Sequence, residues 1–448
     1  MRKRCTIIGA GISGLSLAAF ADEHFDVTVL EASDKVGGLI QNNSEGVRIR
    51  DHAANGWLNN EPSVNELIQL LNLEERVITA NQETTTRWII KNGQMYALSP
   101  KVLFSELLPL SARIRLFAEP FIKQCPLEIE ESLAEFGARR FGAGIVDELL
   151  APFASGIFAC RPEEISLPAA FPKLWKLEQE YGSMIKAHFK KPKPAHKTLL
   201  TSMKGGTSEL CQSIADKMGD KIILNTPALS IKKHKSLWSV NTGNQEILSD
   251  YLAITCPASA QKRLLENSFP KISKFMSEIS YSSVAVVIME FPKNAFPNPP
   301  VGFGALMNRA GQETGILGTL FSSCIFPSRQ QDNVISTRTI MGGSIMPEML
   351  NKSQQELQAQ VLAHHESLFG KCQAAPLHCT VVKYQDAIPR YEKGHFSLQK
   401  EILSFHNQHP SLRLSGNHLF GVAVKDCIRQ SKSSVLDFLE AEGKASHA

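Results

Sequence analysis

A glycine-rich turn between a strand pattern and a helix pattern constrains this chain more than any other feature. The glycines Gly9, Gly11 and Gly14 have the spacing G-x-G-x-x-G, and they follow the apolar run of residues 5–8. A second apolar run ends on Glu31, about 20 residues after the middle glycine. A strand, this turn, a helix and a second strand ending on an acidic residue form the βαβ fingerprint of dinucleotide-binding folds.

Each part of this unit has a physical task in binding a dinucleotide. Gly9 makes the tight turn, Gly11 lets the backbone approach a pyrophosphate, and Gly14 lets the helix pack closely on the strand. The helix N-terminus offers free N–H groups and a positive dipole end to the phosphates. Glu31 can accept hydrogen bonds from ribose hydroxyls, and its charge disfavours the additional phosphate of an NADP-type nucleotide.

A Gly-Gly pair after the second strand indicates which dinucleotide binds. Gly37 and Gly38 follow Glu31 in the pattern E-x-x-x-x-x-G-G. Enzymes that use only NAD do not need this pair, whereas it is typical of large flavoproteins, in which FAD lies extended along the chain. The residues therefore favour FAD over NAD. The cofactor contacts predicted in this part of the chain are Gly9, Ala10, Gly11, Ile12, Ser13, Gly14, Glu31, Ala32, Gly38 and Leu39.

The N-terminus also has features of a secretory signal, which is the main alternative interpretation of this segment. Residues 2–4 form a basic start, residues 5–21 are mostly apolar, and 19–21 imitate a cleavage site. Three glycines at the fingerprint spacing do not favour a signal helix, and the pattern continues past this point into the strand that ends on Glu31. We therefore expect a nucleotide site here and no cleaved leader.

The composition is that of a globular protein with mild charge and reduced thiols. Of the 448 residues, 43% are hydrophobic and 21% are charged, and a net charge of +4 is too small to indicate nucleic-acid binding. The nine cysteines are scattered without a C-x-x-C motif, as is typical of cytoplasmic proteins. No apolar run is long enough to span a bilayer. His406 and His409 are the closest approach to a metal pair, but Pro410 and the lack of neighbouring Cys or acidic ligands lead us to expect no metal site.

The patterns along the chain predict an α/β fold with an inserted helical domain. Helices are expected at 63–73, across 100–190, at 353–369 and at 424–440, and a hairpin with an Asn-Gly turn at 87–96. Further strands are expected at 221–229, 237–241, 251–255, 283–291, 315–322 and 334–342. The predicted domains are a Rossmann-like FAD-binding domain from 1–85, 201–269 and 396–448, a mixed α/β substrate domain from 86–100 and 270–395, and an α-helical domain from 101–200.

We expect one nucleotide site rather than two. The segment 141–147 contains half of a second fingerprint, but it lacks the third glycine and follows no strand pattern. A pyridine-nucleotide reductase would need that second site. Electrons are therefore expected to leave the flavin by another route, to oxygen or to a membrane quinone.

A series of later motifs resembles the oxygen-dependent protoporphyrinogen oxidase family, including its coproporphyrinogen III-oxidising branch. The resemblance extends over nearly the whole chain, and it places the chain in the superfamily of FAD-linked amine oxidases and phytoene desaturases, with its glutathione reductase-like cofactor domain. The segments that carry it are 51–58 (DHAANGWL), 87–98, 156–174, 204–206, 302–306, 317–323, 388–395 (IPRYEKGH), 415–417 (SGN) and 421–428 (GVAVKDCI).

The resemblance implies roles for particular residues. Its flavin contacts correspond to Asn55, Gly56, Ala228, Tyr384, Val422, Ala423 and Val424. Arg87 corresponds to the arginine that pairs with a porphyrinogen propionate, Asn55 to a polar residue near flavin and substrate, and Leu306 and Phe321 to apolar residues on either side of the macrocycle. The helical domain corresponds to a substrate and membrane-binding domain, in which Arg113, Arg115 and Lys123 would suit a membrane surface.

Three positions depart from the family pattern. Cys160 replaces a glycine and is expected to disturb a tight turn, whereas Tyr384 replaces a common tryptophan and Arg390 a common glutamine. The last two are expected to adjust the pocket while leaving flavin binding intact.

The implied reaction is the six-electron oxidation of protoporphyrinogen IX to protoporphyrin IX, with oxygen as acceptor and H2O2 as by-product. Three alternatives stay open: coproporphyrinogen III as substrate, with Arg390 or Lys176 taking its extra propionates; another flavin oxidase or desaturase; and a flavoprotein that binds porphyrinogen without turnover. The partners that the resemblance allows are ferrochelatase, a second copy of the chain and the inner face of the cell membrane, for an otherwise cytoplasmic protein.

Overall fold

The computed structural model describes residues 2–191 and 197–443. Within them the chain forms twenty β-strands: β1 Arg4–Ile8, β2 Asp26–Leu30, β3 Asn42–Glu45, β4 Arg48–Asp51, β5 Trp57–Leu58, β6 Val77–Thr79, β7 Arg87–Lys91, β8 Gln94–Ala97, β9 Leu200–Met203, β10 Ile222–Ile223, β11 Ser230–His234, β12 Leu237–Asn241, β13 Glu246–Ser249, β14 Tyr251–Ile254, β15 Tyr281–Pro292, β16 Gly304–Met307, β17 Ile316–Leu320, β18 Val334–Gly342, β19 His378–Pro389 and β20 Leu412–Leu414.

The same residues form sixteen α-helices: α1 Ile12–Ala21, α2 Pro62–Leu70, α3 Leu110–Ala118, α4 Leu133–Phe141, α5 Ala143–Ile145, α6 Ala151–Phe158, α7 Leu167–Ala170, α8 Pro172–Tyr181, α9 Met184–Lys190, α10 Thr207–Met218, α11 Ala258–Leu265, α12 Pro270–Ser277, α13 Ser322–Ile325, α14 Gln354–Phe369, α15 His395–Gln408 and α16 Val424–Ala441. A π-helical turn, Val146–Leu150, joins α5 to α6.

The five-stranded parallel sheet is assembled from distant parts of the chain. Its strand order is β10-β2-β1-β14-β20, so that segments from residue 4 to residue 414 meet in one layer. Helix α1 is buried along nearly its whole length, and α16 packs against it, with the Ser431 hydroxyl donating to the Ser13 carbonyl at 2.7 Å. The carboxyl ends of β1 and β2 therefore meet at one edge, which is where doubly wound sheets bind ligands.

The seven-stranded sheet has two unlike faces. Its order is β19-β15-β18-β17-β16-β7-β8, with antiparallel pairing except between β16 and β7. One face packs against α14, through side chains such as Phe291 and Phe369. The opposite face carries Val284, Val286 and Leu317. Because successive side chains of a strand alternate between faces, a residue's register decides which environment it meets.

Helices α3–α9 lie between β8 and β9 in the chain and form a helical insertion. Its interior holds a buried ionic group in which the Arg140 guanidinium donates to Glu119 at 3.0 Å and to Glu178 at 2.8 Å. All three side chains are fully buried. Since an unpaired charge at such depth is costly, the three residues depend on one another. Helix α6 connects the insertion to the seven-stranded sheet, where Gly156 lies against Leu306.

The Rossmann-like α/β fold with a helical insertion is confirmed, but two predicted elements differ from the structure. The helix expected at 63–73 ends at Leu70, because Asn72 is in the left-handed region at φ 55°. The strand expected at 221–229 is only Ile222–Ile223, because Asn225 is also left-handed and the Asn225 and Thr226 N–H groups donate to the segment after β2.

The predicted domain boundaries stay predictions. Residues 192–196, in the predicted helical domain, and 444–448, in the predicted cofactor domain, lie outside the described residues, as does Met1. Among the helices that the structure describes, none combines the length and the apolar content that crossing a bilayer requires.

Candidate cofactor and substrate site

The outer glycines of the fingerprint are required by the protein's own packing. Gly9 has φ 106°, a conformation that glycine adopts without strain. A Cβ on Gly14 would lie 1.9 Å from the Gly9 carbonyl oxygen, so no side chain fits there. These two residues bring the start of α1 close to the strand ends. Ala10, Ile12 and Ser13, on the same turn, are buried.

The middle glycine is different, because the space beside it contains no protein atoms. Gly11 has an ordinary φ of −74°, and a Cβ built on it would meet nothing within 4 Å. The second glycine loop borders this space: the Gly37 N–H donates to the Ala10 carbonyl at 2.8 Å, and Gly38 lies beside Gly11. Helix α1 begins here without a side-chain cap and without an acidic residue in its first turn. The space therefore fits a pyrophosphate, which would accept from the free N–H groups.

Glu31 is held at the same edge of the sheet. One carboxylate oxygen accepts from the Ala10 N–H at 2.7 Å, and the other accepts from the backbone and hydroxyl of Ser33 at 2.8 Å. The oxygen that accepts from Ala10 keeps a further lone pair for a ribose hydroxyl. The Glu31 carbonyl accepts from Thr226 at 2.8 Å, which brings the half-buried Ala228 to this edge. Ala32, Gly38 and Leu39 are exposed along it.

The loop at 51–58 rests on a buried ionic network that sequence analysis did not find. The Asp51 carboxylate accepts from the Thr207 N–H at 3.0 Å and from Arg329 at 2.9 Å. Arg338 donates to the carbonyls of Asp51 and Ala53, at 3.0 and 2.7 Å. Burial raises the pKa of Asp51 and lowers the pKa of both arginines. The sequence contained one signal of this network: Arg338 lies within strand β18, whose other residues are uncharged, and a buried guanidinium needs a partner.

Asn55 and Gly56 sit at the turn of this loop. A Cβ on Gly56 would lie 2.1 Å from the Thr201 carbonyl oxygen, so glycine is required. The buried polar atoms without a hydrogen-bond partner among the described residues include Asn55 Nδ2, Arg338 Nε and Gln330 Oε1. All three residues line one small cavity. Unpaired buried donors and acceptors are costly, so this cavity has the character of a site for bound water.

The N-terminus of α16 lies near the loop at 51–58, since Val424 belongs to the same core cluster as Trp57 and Ala54. Its N-cap, Ala423, is exposed and has no side-chain hydrogen bond. Val424 is buried against the five-stranded sheet, whereas Val422 packs on the helical insertion. Tyr384, half-buried on β19, shares the sheet face of Val284, and burial raises its pKa. The helix start therefore lies between the cofactor sheet and the insertion, with free N–H groups that suit an electron-rich ring edge.

Cross-strand pairing places Arg87 on the same face as the loop network. Arg87 pairs with Gly304, Gly304 with Leu320, and Leu320 with Arg338. Three strand spacings of about 4.8 Å place the Cα atoms of Arg87 and Arg338 about 14 Å apart. The Arg87 guanidinium is exposed and lies 4.6 Å from the Phe303 ring centroid, and within the described part of the chain no carboxylate approaches it within 4 Å. We call the part of this face formed by Arg87, Leu306, Leu320 and Tyr384 the open sheet face.

Leu306 lies where the helical insertion covers the open sheet face. A Cβ on Gly156 of α6 would approach the Leu306 side chain to 3.0 Å, so the helix backbone packs directly over this leucine. Ile89 and Leu107 pack beside it. The insertion therefore forms a wall at Leu306, while Leu320 and Arg87 continue the face toward solvent.

Phe321 does not lie on the open sheet face. Its side chain is fully buried, 5.7 Å from the Phe369 ring, in the core on the α14 side of the sheet. A β-bulge in β17 between Ile316 and Gly318 sets the register there, and a shift of one residue moves a side chain to the opposite face. The half-buried neighbour Leu320 lies on the open sheet face instead.

The structure also bears on three further positions. Arg390 pairs with Glu164 at 2.8 Å and Glu392 at 3.2 Å, so it is not free for a substrate carboxylate. Lys176 is exposed on α8. The tight turn after α6 has its left-handed residue at Ala159 (φ 50°), so Cys160 does not disturb it and packs in the core of the insertion.

Several basic residues and histidines have structural partners. Arg113 donates to the Leu108 carbonyl at 3.0 Å, and Arg115 to the Arg139 carbonyl at 2.9 Å. His406 accepts from the Leu414 N–H at 3.0 Å, and burial lowers its pKa to about 3. Among residues 2–191 and 197–443, no group of three or more metal-ligating side chains converges.

Comparison with known proteins agrees with this architecture. The family described as flavin containing amine oxidoreductase matches residues 12–435. Protoporphyrinogen oxidase 2 of Arabidopsis thaliana is 30% identical over 486 aligned positions, covering 98% of this chain and 95% of that protein. Coproporphyrinogen III oxidase of Bacillus subtilis is 24% identical, with 98% of each chain covered. The crystal structure of a proposed protoporphyrinogen oxidase from an Exiguobacterium species shares the fold, with a TM-score of 0.84, 22% identity and 99% of each chain covered.

The family match extends from α1 into α16 and covers the helical insertion between them. The chain therefore belongs to the flavin-containing amine oxidoreductase family, in the group that includes the protoporphyrinogen and coproporphyrinogen oxidases, and its cofactor is FAD.

Proposed function

We propose that this chain oxidises protoporphyrinogen IX to protoporphyrin IX in heme biosynthesis, with O2 as acceptor and H2O2 as by-product. The observation that carries the proposal is the open sheet face, on which the half-buried Leu306 and Leu320 share one side of the sheet with Arg87, whose guanidinium has no carboxylate within 4 Å among the described residues. A reduced tetrapyrrole with carboxylate arms would use apolar contacts and a planar cation of this kind. The relatives named as protoporphyrinogen oxidases support the same substrate.

The chain's residues would act by positioning. Arg87 offers a planar fork of donors that suits a propionate, and its stacking on Phe303 reduces the rotamer freedom lost on binding. Leu306 and Leu320 offer apolar contacts to the ring. Asn55 lies in the loop at 51–58, where its amide would orient the substrate but cannot abstract a proton at neutral pH. Bound FAD supplies the two-electron oxidation, so the protein's part is to hold the macrocycle against it.

The ion pairs of Arg390 favour protoporphyrinogen IX, the substrate with two propionates. Coproporphyrinogen III carries two more carboxylates, which need additional cations at the rim. Arg390 is already shared between Glu164 and Glu392, and a carboxylate arriving there would meet two like charges. Coproporphyrinogen III remains the second candidate because of the Bacillus subtilis relative.

A side-by-side turnover assay tests the substrate. Purified protein loaded with FAD would receive each porphyrinogen in air, with porphyrin fluorescence and H2O2 followed together. We expect the larger kcat/KM with protoporphyrinogen IX. Equal or greater efficiency with coproporphyrinogen III would reverse the choice of substrate. Turnover of an amine or a polyene with neither porphyrinogen consumed would overturn the proposal, and binding of porphyrinogen without H2O2 would indicate a non-catalytic carrier.

An exposed apolar patch on the helical insertion supports docking to a membrane surface. Its members are large apolar residues with between 61% and 88% of the residue surface exposed: Phe104, Leu110, Ile114, Phe117, Phe121 and Phe189. Lys101, Lys123 and Lys190 are exposed on the same segments, whereas Arg113 and Arg115 donate to backbone carbonyls. Apolar side chains flanked by lysines suit an anionic lipid interface.

Vesicle co-sedimentation tests this membrane proposal. Phe117→Ser removes one of the most exposed members of the patch, and burying a phenylalanine contributes roughly 1.5–3 kcal/mol, so we expect at least about tenfold weaker binding to anionic vesicles. Leu403→Ser, at a leucine of α15 that is 53% exposed outside the patch, is the matched control. Equal binding of both variants would contradict the assignment of the surface.

The remaining partners follow from the resemblance alone and stay predictions. They are product transfer to ferrochelatase, a homodimer, and a cytoplasmic location at the inner face of the membrane. Size-exclusion chromatography with light scattering tests the dimer.

A further inference from the structure

The Tyr391 hydroxyl clamps the two ends of the loop that leads into α16. It donates to the Asn417 carbonyl at 2.7 Å and accepts from the Gly421 N–H at 2.7 Å. The side chain is 1% exposed, so neither bond is exchanged with water. A single atom therefore fixes both sides of the segment 417–421, immediately before the cofactor residues Val422 and Ala423.

Gly421 is the pivot of this segment. It has φ 128°, and a Cβ on it would lie 2.6 Å from the Asp426 side chain, so its backbone packs against the first turn of α16. Its N–H has its partner in Tyr391. Gly421 therefore sets the direction in which Val422 and Ala423 continue from it. This direction determines the position of the free N–H groups at the start of α16.

Tyr391 is itself held by two other parts of the fold, helix α15 and the helical insertion. Its ring stacks on His395 at 4.0 Å with an interplanar angle of 14°. Its carbonyl accepts from the Ser166 N–H of the helical insertion at 2.7 Å, and Phe158 of the insertion lies 5.7 Å from its ring. Gln399 adds a bond to the Leu419 carbonyl at 2.6 Å. The clamp is therefore rigid, and it joins the insertion to the cofactor loop.

We propose that Tyr391 is a positioning residue that sets how closely the N-terminus of α16 approaches the flavin ring, and thereby the reduction potential of bound FAD. The inference rests on the proposed placement of the cofactor, but it does not depend on the identity of the substrate. The positive end of a helix favours electron density on the ring edge that it faces. Without the hydroxyl, Gly421 loses its partner and the helix start is free to move away from the ring.

Tyr391→Phe is the appropriate variant, because it keeps the ring, the stack on His395 and the core packing. We expect the reduced cofactor to lose about tenfold more binding than the oxidised cofactor, which lowers the two-electron potential by about 30 mV. Dye-equilibrated reduction of the holoenzyme measures the potential without any porphyrinogen. We also expect a shift in the visible absorption spectrum of the flavin.

Tyr251→Phe is the matched control. Tyr251 is also a buried tyrosine, but its hydroxyl donates to Glu442, at the edge of the cofactor sheet away from the glycine loops. We expect this variant to lose stability and keep the wild-type potential. An unchanged potential in Tyr391→Phe, together with normal FAD content, would overturn the inference. A lowered potential in a protein that oxidises no porphyrinogen would support the clamp and reject the proposed function.

Discussion

Replacement of Gly11 by alanine separates the steric requirement of FAD binding from that of folding. Gly11 has an ordinary φ of −74°, and a Cβ on it meets no protein atom within 4 Å. Alanine therefore fits the protein without its cofactor. The methyl group occupies the space in which a pyrophosphate would lie between the start of α1 and the Gly37-Gly38 loop. The substitution should leave folding intact and damage FAD binding.

The size of both effects follows from the geometry. At a position that alanine can adopt, replacing glycine stabilises a protein by about 0.4–1 kcal/mol, because the unfolded chain loses freedom. A methyl group that displaces the pyrophosphate costs at least one charge-assisted hydrogen bond from a backbone N–H, which contributes about 1.5–3 kcal/mol. We therefore expect the FAD dissociation constant to rise by a factor of about 10 to 150.

Two measurements on the same preparations test this prediction. Denaturant unfolding of the protein stripped of FAD gives its stability, and quenching of flavin fluorescence on titration gives the affinity. Gly14→Ala is the contrasting control: its Cβ would lie 1.9 Å from the Gly9 carbonyl oxygen, so it should destabilise the protein without FAD. Wild-type FAD affinity in Gly11→Ala, or destabilisation equal to that of Gly14→Ala, would refute this account of the glycine loop.

Three further predictions concern the open sheet face and the buried histidines. Arg87→Ala should raise KM for porphyrinogen at least about tenfold, with Arg87→Lys intermediate and the FAD content unchanged, because only a planar fork pairs with both carboxylate oxygens; an unchanged KM would remove Arg87 from the site. Leu320→Asp should impair porphyrinogen turnover with little loss of stability, whereas Phe321→Ala, in the core, should cost about 3–5 kcal/mol of stability; the reverse pattern would mean that the register assignment is wrong. Burial lowers the pKa of His365 and His418 from an ordinary 6.5 to about 3, so the unfolded chain binds protons before the folded chain as the pH falls. The stability present above pH 6.5 is therefore lost toward pH 3, at about 1.4 kcal/mol per pH unit for each histidine. Urea midpoints that are equal at pH 7 and pH 5 would contradict this burial.

Local patterns predicted the strand and helix elements that carry the expected cofactor residues. The fingerprint glycines, Glu31 and the helix at 424–440 depend on neighbours in sequence, and their positions agree with the expected fold. The tight contact between Gly14 and the Gly9 carbonyl also lies within one βαβ unit, whereas Gly9 itself packs against the distant Thr255 and Cys256. Turn residues were less predictable, because Asn72 and Asn225 end their elements in left-handed conformations that a hydrophobic pattern does not register.

The substrate half depended on pairings between distant segments. Leu320 and Phe321 are adjacent and both apolar, and only the bulge in β17 decides which one faces the site. Arg338 and Arg390 look alike as isolated cations, yet one supports the loop at 51–58 and the other pairs with Glu164. A single sequence does not show such partners, because they lie more than 200 residues apart in the chain.

The most direct test of the central claim is the yield of H2O2 per porphyrin formed when FAD-loaded protein meets protoporphyrinogen IX in air. We predict fluorescent protoporphyrin IX, dependence on bound FAD, and one H2O2 for each electron pair removed. Porphyrin formation at the rate of spontaneous oxidation, with no H2O2 above that background, would contradict the account.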